Sequence, residues 1–383
     1  VQVVQAGDER RRWPERWAVV AAGEGHRPAR RPGRRSFLHG IIVAKRSYGP
    51  VIRVLHVTDG ELDALLASPR ADDELREPVT IVVGRDGGRV SQAALDRLTV
   101  TPCVVIGVGH DATAPPPHVD LVVEDDVCAL DDVVATVDAH PLASTTLTVL
   151  LRSGPHRSLE AGLAAESAAY STLQGGPELA AWRAAHPIRA RERAANAPVR
   201  TERDGARLTV VLDRPHVRNA LDRAMRDALL EAFALVAADA TIAEVVVRGE
   251  GPSFCSGGDL DEFATFDDPA SAHLVRLSAS LGRAIAAVAD RVTCLVHGPC
   301  AGSGVELPAF AGRVVAAPDT TLALPEVSLG LVPGAGGTVS LTRRAGRHRV
   351  ALLALSGRAI DATTALRWGL VDAVQPLDAL PAF

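Results

Sequence analysis

Short apolar runs rich in β-branched residues alternate in this chain with stretches whose apolar residues recur every three or four positions. That alternation restricts the fold more than any other feature, because strands and helices taken in turn build an α/β architecture with a largely parallel sheet. The first series comprises IRVLHV (52–57), a helix at Asp59–Leu66, PVTIVVG (78–84), LDRL (95–98), TPCVVIGVG (101–109) and VDLVVED (119–125). From Ala129 to about Ala185 the pattern is helical, and the charged, proline-terminated RARERAANAPVR (189–200) reads as a linker. A second series follows: LTVVLD (208–213), a helix over Ala220–Val236, then EVVVRGE (244–250), CLVHG (294–298) and RVVAAPD (313–319). In that helix Leu221, Met225, Leu229, Phe233 and Val236 share one face.

Of the 383 residues 47% are hydrophobic, which excludes disorder of the whole chain and leaves ample apolar surface for a core. Only 3% are aromatic, so that core is aliphatic. No apolar run reaches the roughly 20 residues of a membrane span, and no membrane association is expected. Cysteines 103, 128, 255, 294 and 300 form no regular framework and read as reduced thiols of a cytoplasmic protein. The net charge of −5 gives no global reason to expect nucleic acid. Residues 1–50 are the local exception, with eleven Lys or Arg against four acids, and Arg27–Arg35 reads RPARRPGRR. A nucleic-acid arm is one reading of that segment; the plainer one is a basic, disordered extension. Lys45 is the chain's single lysine and Met225 its single methionine.

The two series resemble each other. PVTIVVGRDG aligns with AEVVVRGEGP, TPCVVIGVGHD with VTCLVHGPCAG, and HVDLVVEDD with GRVVAAPDT, which suggests a duplication. Several other motifs carry less than they promise. Gly107-Val-Gly109-His-Asp-Ala112 matches a dinucleotide fingerprint, but Pro115–Pro117 forbid the helix such a site needs. Cys294-x-x-His297-x-x-Cys300 has ligand-like spacing without a fourth ligand and reads as core packing, so no metal is expected. There is no G-x-S-x-G nucleophile turn.

The stretch 251–337 is richer. Phe254-Cys255-Ser256-Gly257-Gly258-Asp259-Leu260 and Cys300-Ala301-Gly302-Ser303-Gly304-Val305-Glu306-Leu307 are both glycine turns after strands, and the second opens an apolar helix. Glycine lets backbone N–H groups approach a ligand, and the first N–H groups of a helix are free donors. Two such turns face to face would hold a carbonyl oxygen that gains negative charge. Glu306 sits among Val305, Leu307, Ala309 and Phe310, where burial raises a carboxyl pKa toward neutrality; Glu326, after Leu324-Pro325, is a second acid in apolar surroundings.

These residues resemble the enoyl-CoA hydratase/isomerase (crotonase) superfamily. FCSGGDL (254–260) is similar to its F-x-A-G-x-D-L loop and HGPCAGSGVEL (297–307) to its N-G-x-A-x-G-G-G-x-E-L segment. LPEVSLGLVPGAGGTVSLTRRAG (324–346) resembles its P-E-x-x-x-G-x-x-P-G-x-G-G-T run. RPHVRNAL (214–221) and ALSGRAIDATTALRWGLVDAVQP (354–376) extend the resemblance over roughly 200–377. It implies a ββα spiral core binding an acyl-CoA thioester, with oxyanion donors at the Gly258 and Ser303 N–H groups. Glu306 and Glu326 become the pair that positions water and shuttles protons, and Ser256, Gly257, Asp259, Leu260 and Gly302 contact the substrate.

Having both glutamates tilts the expectation toward an enoyl-CoA hydratase of fatty acid metabolism with no cofactor beyond the CoA of its substrate. An isomerase, another crotonase reaction, or a catalytically silent partner of a thioester enzyme are the alternatives. The family also implies a homo-oligomer, trimer or hexamer. Departures include Ser303 where glycine is usual, with a side chain able to crowd the thioester, and Pro308 close behind Glu306. With no lysine after Lys45, any CoA phosphate contact falls to arginine. Residues 129–187 resemble the helical region that normally follows the G-L-V segment. The expected organisation is therefore an extension (1–50), a degenerate crotonase-like unit with C-terminal helices (51–190) and a catalytic core (198–383), the helices of 129–187 capping the site of the core within one chain or between chains.

Overall fold

The computed structural model describes residues 41–44, 52–68, 71, 75, 78–124, 127–188, 197–263 and 268–376. The chain divides into two compact units, Val1–Leu130 and Asp131–Phe383.

In the first unit the strands Ile41–Ala44 (β1), Ile52–Thr58 (β2), Val79–Gly84 (β3), Cys103–Val108 (β4) and Leu121–Val123 (β5) form one sheet in that order. β1 runs antiparallel to β2, and the other neighbours are parallel. β3 and β4 are buried along almost their whole length, which is why they read as unbroken apolar runs rather than alternating ones. The helix Asp59–Ala67 (α1) starts at a Thr58/Glu61 capping box, and Gln92–Leu98 (α2) is capped by Ser91. β1 lies inside the segment expected to be a disordered extension. Four residues are too short a run for periodicity to distinguish from a coil, and the remainder of 1–50 lies outside the described residues.

The second unit begins with helices Pro141–Ser153 (after the boundary helix Val127–Ala139), Leu159–Gln174 and Pro177–Ala185. With the boundary helix numbered α3, these are α4, α5 and α6. They group with the core of 198–383, not with residues 51–130 as the sequence suggested. The six-stranded sheet of this unit holds Val199–Asp204 (β6), Arg207–Leu212 (β7), Glu244–Gly249 (β8), Val292–Val296 (β9), Arg313–Ala316 (β11) and Ala373–Val374 (β14), adjacent in that order. Only β6 is antiparallel to its neighbour. β6 falls at the end of the expected linker and beyond it. It is an edge strand exposed at every residue after Val199, so it lacks the apolar alternation that marks a strand in sequence.

A smaller sheet orders Pro299–Ala301 (β10), Thr321–Ala323 (β12) and Ile360–Asp361 (β13). Twice, at β9–β10 and β11–β12, the chain makes a strand of the large sheet, turns, and makes a strand of the small one: the ββα winding. The helix Arg223–Ala238 (α7) is capped by the Asp222 carboxylate and starts later than expected, which leaves Leu221 to bridge Gly258 instead. Pro269–Ser278 (α8), Leu281–Ala286 (α9), Gly337–Ala345 (α11), Arg347–Ser356 (α12) and Ala362–Trp368 (α13) complete the unit with one turn at Ser303–Glu306 (α10). α10 was expected to be a full apolar helix. Pro308 has no N–H and clashes with a preceding carbonyl, and the chain passes into a 3₁₀ turn at Pro308–Phe310. The strand order of the first unit, one antiparallel edge followed by parallel neighbours, repeats that of β6-β7-β8-β9-β11.

Candidate active site

Both glycine turns leave the C-terminal ends of parallel strands, and they abut. Ala301 N–H donates to the Cys255 carbonyl at 3.2 Å, and a Cβ on Gly257 (φ +103°) would sit 3.1 Å from the Ala301 carbonyl oxygen. Gly304 packs so closely on Cys255 that any side chain would enter its backbone. The Gly258 and Ser303 N–H groups, one from each turn, donate to no acceptor among the described residues. The Ser303 hydroxyl does not crowd those donors: it is buried beside the Cys255 thiol at 3.9 Å.

The first turn is held from below. Leu221 N–H donates to Gly257 O at 2.8 Å, Asp259 N–H to Leu221 O at 2.9 Å, and Ser256 N–H to Arg218 O at 3.0 Å. Arg218 and Asn219 both adopt φ +54°, and the Asn219 amide makes this tolerable by donating to Glu250 O and Ser253 O, each at 2.9 Å. The Asp259 side chain turns inward to Arg214 at 3.3 Å, so it anchors the loop. Leu260, by contrast, is exposed. Arg183 of α6 donates to the carbonyls of Leu260 (2.6 Å) and Phe263, tying the loop to the helices of 131–187.

Three carboxyl groups lie beside these turns, one more than the sequence revealed. Glu306 ends α10, is 2% exposed, and accepts the N–H groups of Ala335 and Gly337, both at 2.8 Å. Glu326 follows β12 and is 7% exposed; one of its oxygens lies against Gly302 (φ +48°), within the space a Cβ would need, and Oε2 has no partner among the described residues. Glu166 reaches in from α5. It is 2% exposed and accepts from Gly336 N–H (2.6 Å), Thr338 N–H (2.9 Å) and the Thr338 hydroxyl (2.6 Å). Burial raises all three pKa values. For Glu326 the charges of Glu306 and Glu166 add to that burial, with little hydrogen bonding to oppose them. Backbone donors oppose it at Glu306 and, with the Thr338 hydroxyl, at Glu166.

The glycines of PGAGG (333–337) make room for this arrangement. A Cβ on Gly334 would enter the Tyr170 ring, one on Gly336 the Phe310 ring, and one on Gly337 the Glu306 carboxyl. Leu163, Glu166 and Tyr170, at helical spacing on one face of α5, thus lie along the run. Arg276 of α8 stacks on Tyr170 at 4.5 Å and bonds to Ser167 and Ser171. Leu163, Glu166, Arg276, Leu307, Gly334 and Gly336 line part of a cavity of about 120 Å³. The site can therefore hold an oxygen atom that gains charge and exchange protons next to it. Glu166, Tyr170 and Arg276 escaped the sequence reading; an acid at position 166 on an otherwise apolar helical face was their only signal. Cys294 and Cys300 are buried thiols with pKa values pushed up to about 12, as core packing requires.

The chain is similar to known proteins. The family model described as enoyl-CoA hydratase/isomerase matches residues 202–382. The 2,3-dehydroadipyl-CoA hydratase of Escherichia coli is 36% identical over 171 residues, 45% of this chain and 66% of that protein. A probable enoyl-CoA hydratase of Mycobacterium tuberculosis is 34% identical over 181 residues, 47% of this chain and 69% of that one. An enoyl-CoA hydratase structure from Thermoplasma volcanium aligns with 35% identity and a TM-score of 0.45 over 48% of this chain and 74% of that one. The chain thus spans about two thirds of the length of the curated relatives it matches. It belongs to the enoyl-CoA hydratase/isomerase family.

Proposed function

We propose that the chain adds water across the 2,3 double bond of an enoyl-CoA thioester. The observation that carries the reading is the pairing of two unlike buried carboxyls beside two unused N–H donors. Glu306 is held by two backbone donors, which favour its ionised form; Glu326 is unpartnered at Oε2 and faces the charge of Glu306, which favours its protonated form. The Gly258 and Ser303 N–H groups hold the thioester oxygen as the enolate develops. The Glu306 carboxylate takes a proton from water as its oxygen attacks C3, and Glu326 delivers its proton to C2. The 254–260 loop receives the CoA moiety, and arginine supplies the phosphate contacts. The helices α4–α6 cover this site in the same chain, supported by the bonds from Glu166 and Arg183, and Tyr170 and Arg276 border the acyl pocket. The shared strand order further supports reading residues 52–124 as a degenerate copy of the same unit.

The test is hydration of crotonyl-CoA and longer 2-enoyl-CoAs, followed by loss of the conjugated absorbance, for the wild type, Glu306→Gln and Glu326→Gln. Loss in both variants supports hydration. Loss in Glu306→Gln alone supports isomerase chemistry, and no turnover without CoA binding supports a silent partner subunit.

A further inference from the structure

The first unit carries a cluster that the acyl-CoA chemistry leaves unused. Asp59 follows β2 at the start of α1, His110 follows β4, and His118 lies in the loop leading to β5. Asp59 and His110 thus stand at the carboxyl ends of parallel strands, the edge where open α/β sheets place their ligands. The three side chains are only 3%, 5% and 8% exposed. His118 Nε2 lies 2.8 Å from Asp59 Oδ1, and His110 Nε2 lies 3.5 Å from the same oxygen. One ligand atom from each residue falls within 4.8 Å of both others, and among the described residues no second group of this kind occurs.

Two details separate the cluster from a structural Asp–His pair. His110 Nε2 is buried without a partner, and its ring bonds instead to the Val83 backbone, so its free nitrogen points at Asp59. Asp59 Oδ2 accepts the Asp86 N–H at 3.2 Å, which leaves Oδ1 directed toward both imidazoles. Outer hydrogen bonds that orient each ligand are what a metal site requires. A tetrahedral ion at about 2.05 Å from its ligands separates them by roughly 3.3 Å, close to the His110–Asp59 spacing. The shorter His118–Asp59 contact is a hydrogen bond that opens by about half an ångström as the ion takes its place, the neutral imidazole carrying its proton on Nδ1 when Nε2 binds the metal.

We propose that Asp59 Oδ1, His110 Nε2 and His118 Nε2 form a mononuclear site for a divalent metal of the imidazole-binding class, with a fourth position left for water. Two imidazoles and one carboxylate suit Zn²⁺ or Fe²⁺ better than Mg²⁺ or Ca²⁺, which prefer oxygen alone. The sequence hid this site because Asp59 lies far from the histidines. His110 also stands inside the glycine motif at 107–112, which invites a nucleotide reading.

The test is metal binding by the full chain, stripped with chelator, reloaded with Zn²⁺ and dialysed, with Co²⁺ as a spectroscopic substitute. The wild type should retain about one equivalent and melt at higher temperature with Zn²⁺ present. His110→Ala gives up the ring's bond to the Val83 backbone as well as the ligand nitrogen, so its fold is checked against the wild type by circular dichroism and His110→Gln, which keeps more of the buried volume, is measured beside it. His110→Ala should bind at least as much more weakly as the roughly 10–100-fold that loss of an outer-shell partner costs, with no Zn²⁺-dependent melting shift. Asp59→Asn should lose the Co²⁺ spectrum. Wild type that retains only traces of Zn²⁺, or equal stoichiometry in wild type and His110→Ala, would overturn the proposal.

Discussion

Glu166 and Glu306 alternate along the start of one helix: Glu306 accepts the N–H groups of Ala335 and Gly337, and Glu166 those of Gly336 and Thr338. Two acids from distant segments thereby satisfy donors that the first turn of α11 leaves open, where the helix dipole also favours negative charge. Glu166→Ala would orphan two buried N–H groups and a hydroxyl. The expected loss is about 2–4 kcal/mol, the scale of leaving buried donors without a partner. Urea unfolding at neutral pH measures it, and a loss within error would show that water replaces the carboxylate.

Replacing the other two acids affects chemistry more than folding. Glu306→Gln and Glu326→Gln keep shape and remove the proposed proton transfer, so each should lower kcat by about 10²–10⁴-fold. Affinity for a saturated acyl-CoA should stay within a few-fold, because the N–H donors of Gly258 and Ser303 are untouched. Single-turnover kinetics with calorimetric binding separates the two effects.

Glu326→Gln should also stabilise the protein, increasingly as pH rises. The Glu326 pKa lies well above its ordinary 4.5, so above that pH the native state holds a proton that the unfolded chain releases. Stability from this group is present at low pH and is lost as pH rises toward the folded pKa. The neutral amide removes that slope, so the variant's melting temperature should exceed the wild type's more at pH 8 than at pH 5. An equal difference at both pH values would mean that Glu326 is already ionised at pH 5.

The α/β alternation was legible from the sequence because the central strands are apolar throughout, and the ββα core was legible only through the family resemblance that the glycine turns carry, turns that are enforced by contact. Gly304, Gly336 and Gly337 each face atoms that leave no room for a side chain. Glu306 and Glu326 were legible as acids amid apolar residues. The edges were not: β6 is solvated on both faces, and β1 is four residues long. Glu166 stayed hidden because what makes it notable is the Gly336–Thr338 backbone 170 residues away. Helical period places it on an inward face but cannot name what that face meets.

Gly330 tests how α6 docks. It adopts φ +77°, and a Cβ there would lie 2.5 Å from Glu178 Cβ and 2.7 Å from Leu179 N. Gly330→Ala combines left-handed strain with a backbone collision, so a loss of about 2–4 kcal/mol is expected. Hydrogen exchange should show faster opening of 177–185 with β7–β9 unchanged. Uniform acceleration across the unit would show instead that α6 and the sheet open together.

Arg183 tests whether the helices also shape substrate binding. Its guanidinium holds the Leu260 and Phe263 carbonyls, whereas the Gly258 turn is pinned separately by Leu221 through its own bridge. Removing Arg183 therefore loosens the outer part of the loop and leaves the Gly258 N–H, the proposed oxyanion donor, in place. Arg183→Ala should raise KM for enoyl-CoA by roughly 3–30-fold, the equivalent of one or two hydrogen bonds to a charged group at partial exposure, with kcat near the wild-type value. Arg183→Lys has one ammonium where two carbonyls need a fork, so it should restore only part of the loss. Equal falls in kcat and kcat/KM would show that the loop and the Gly258 N–H move as one body, which would place Arg183 in support of the oxyanion position.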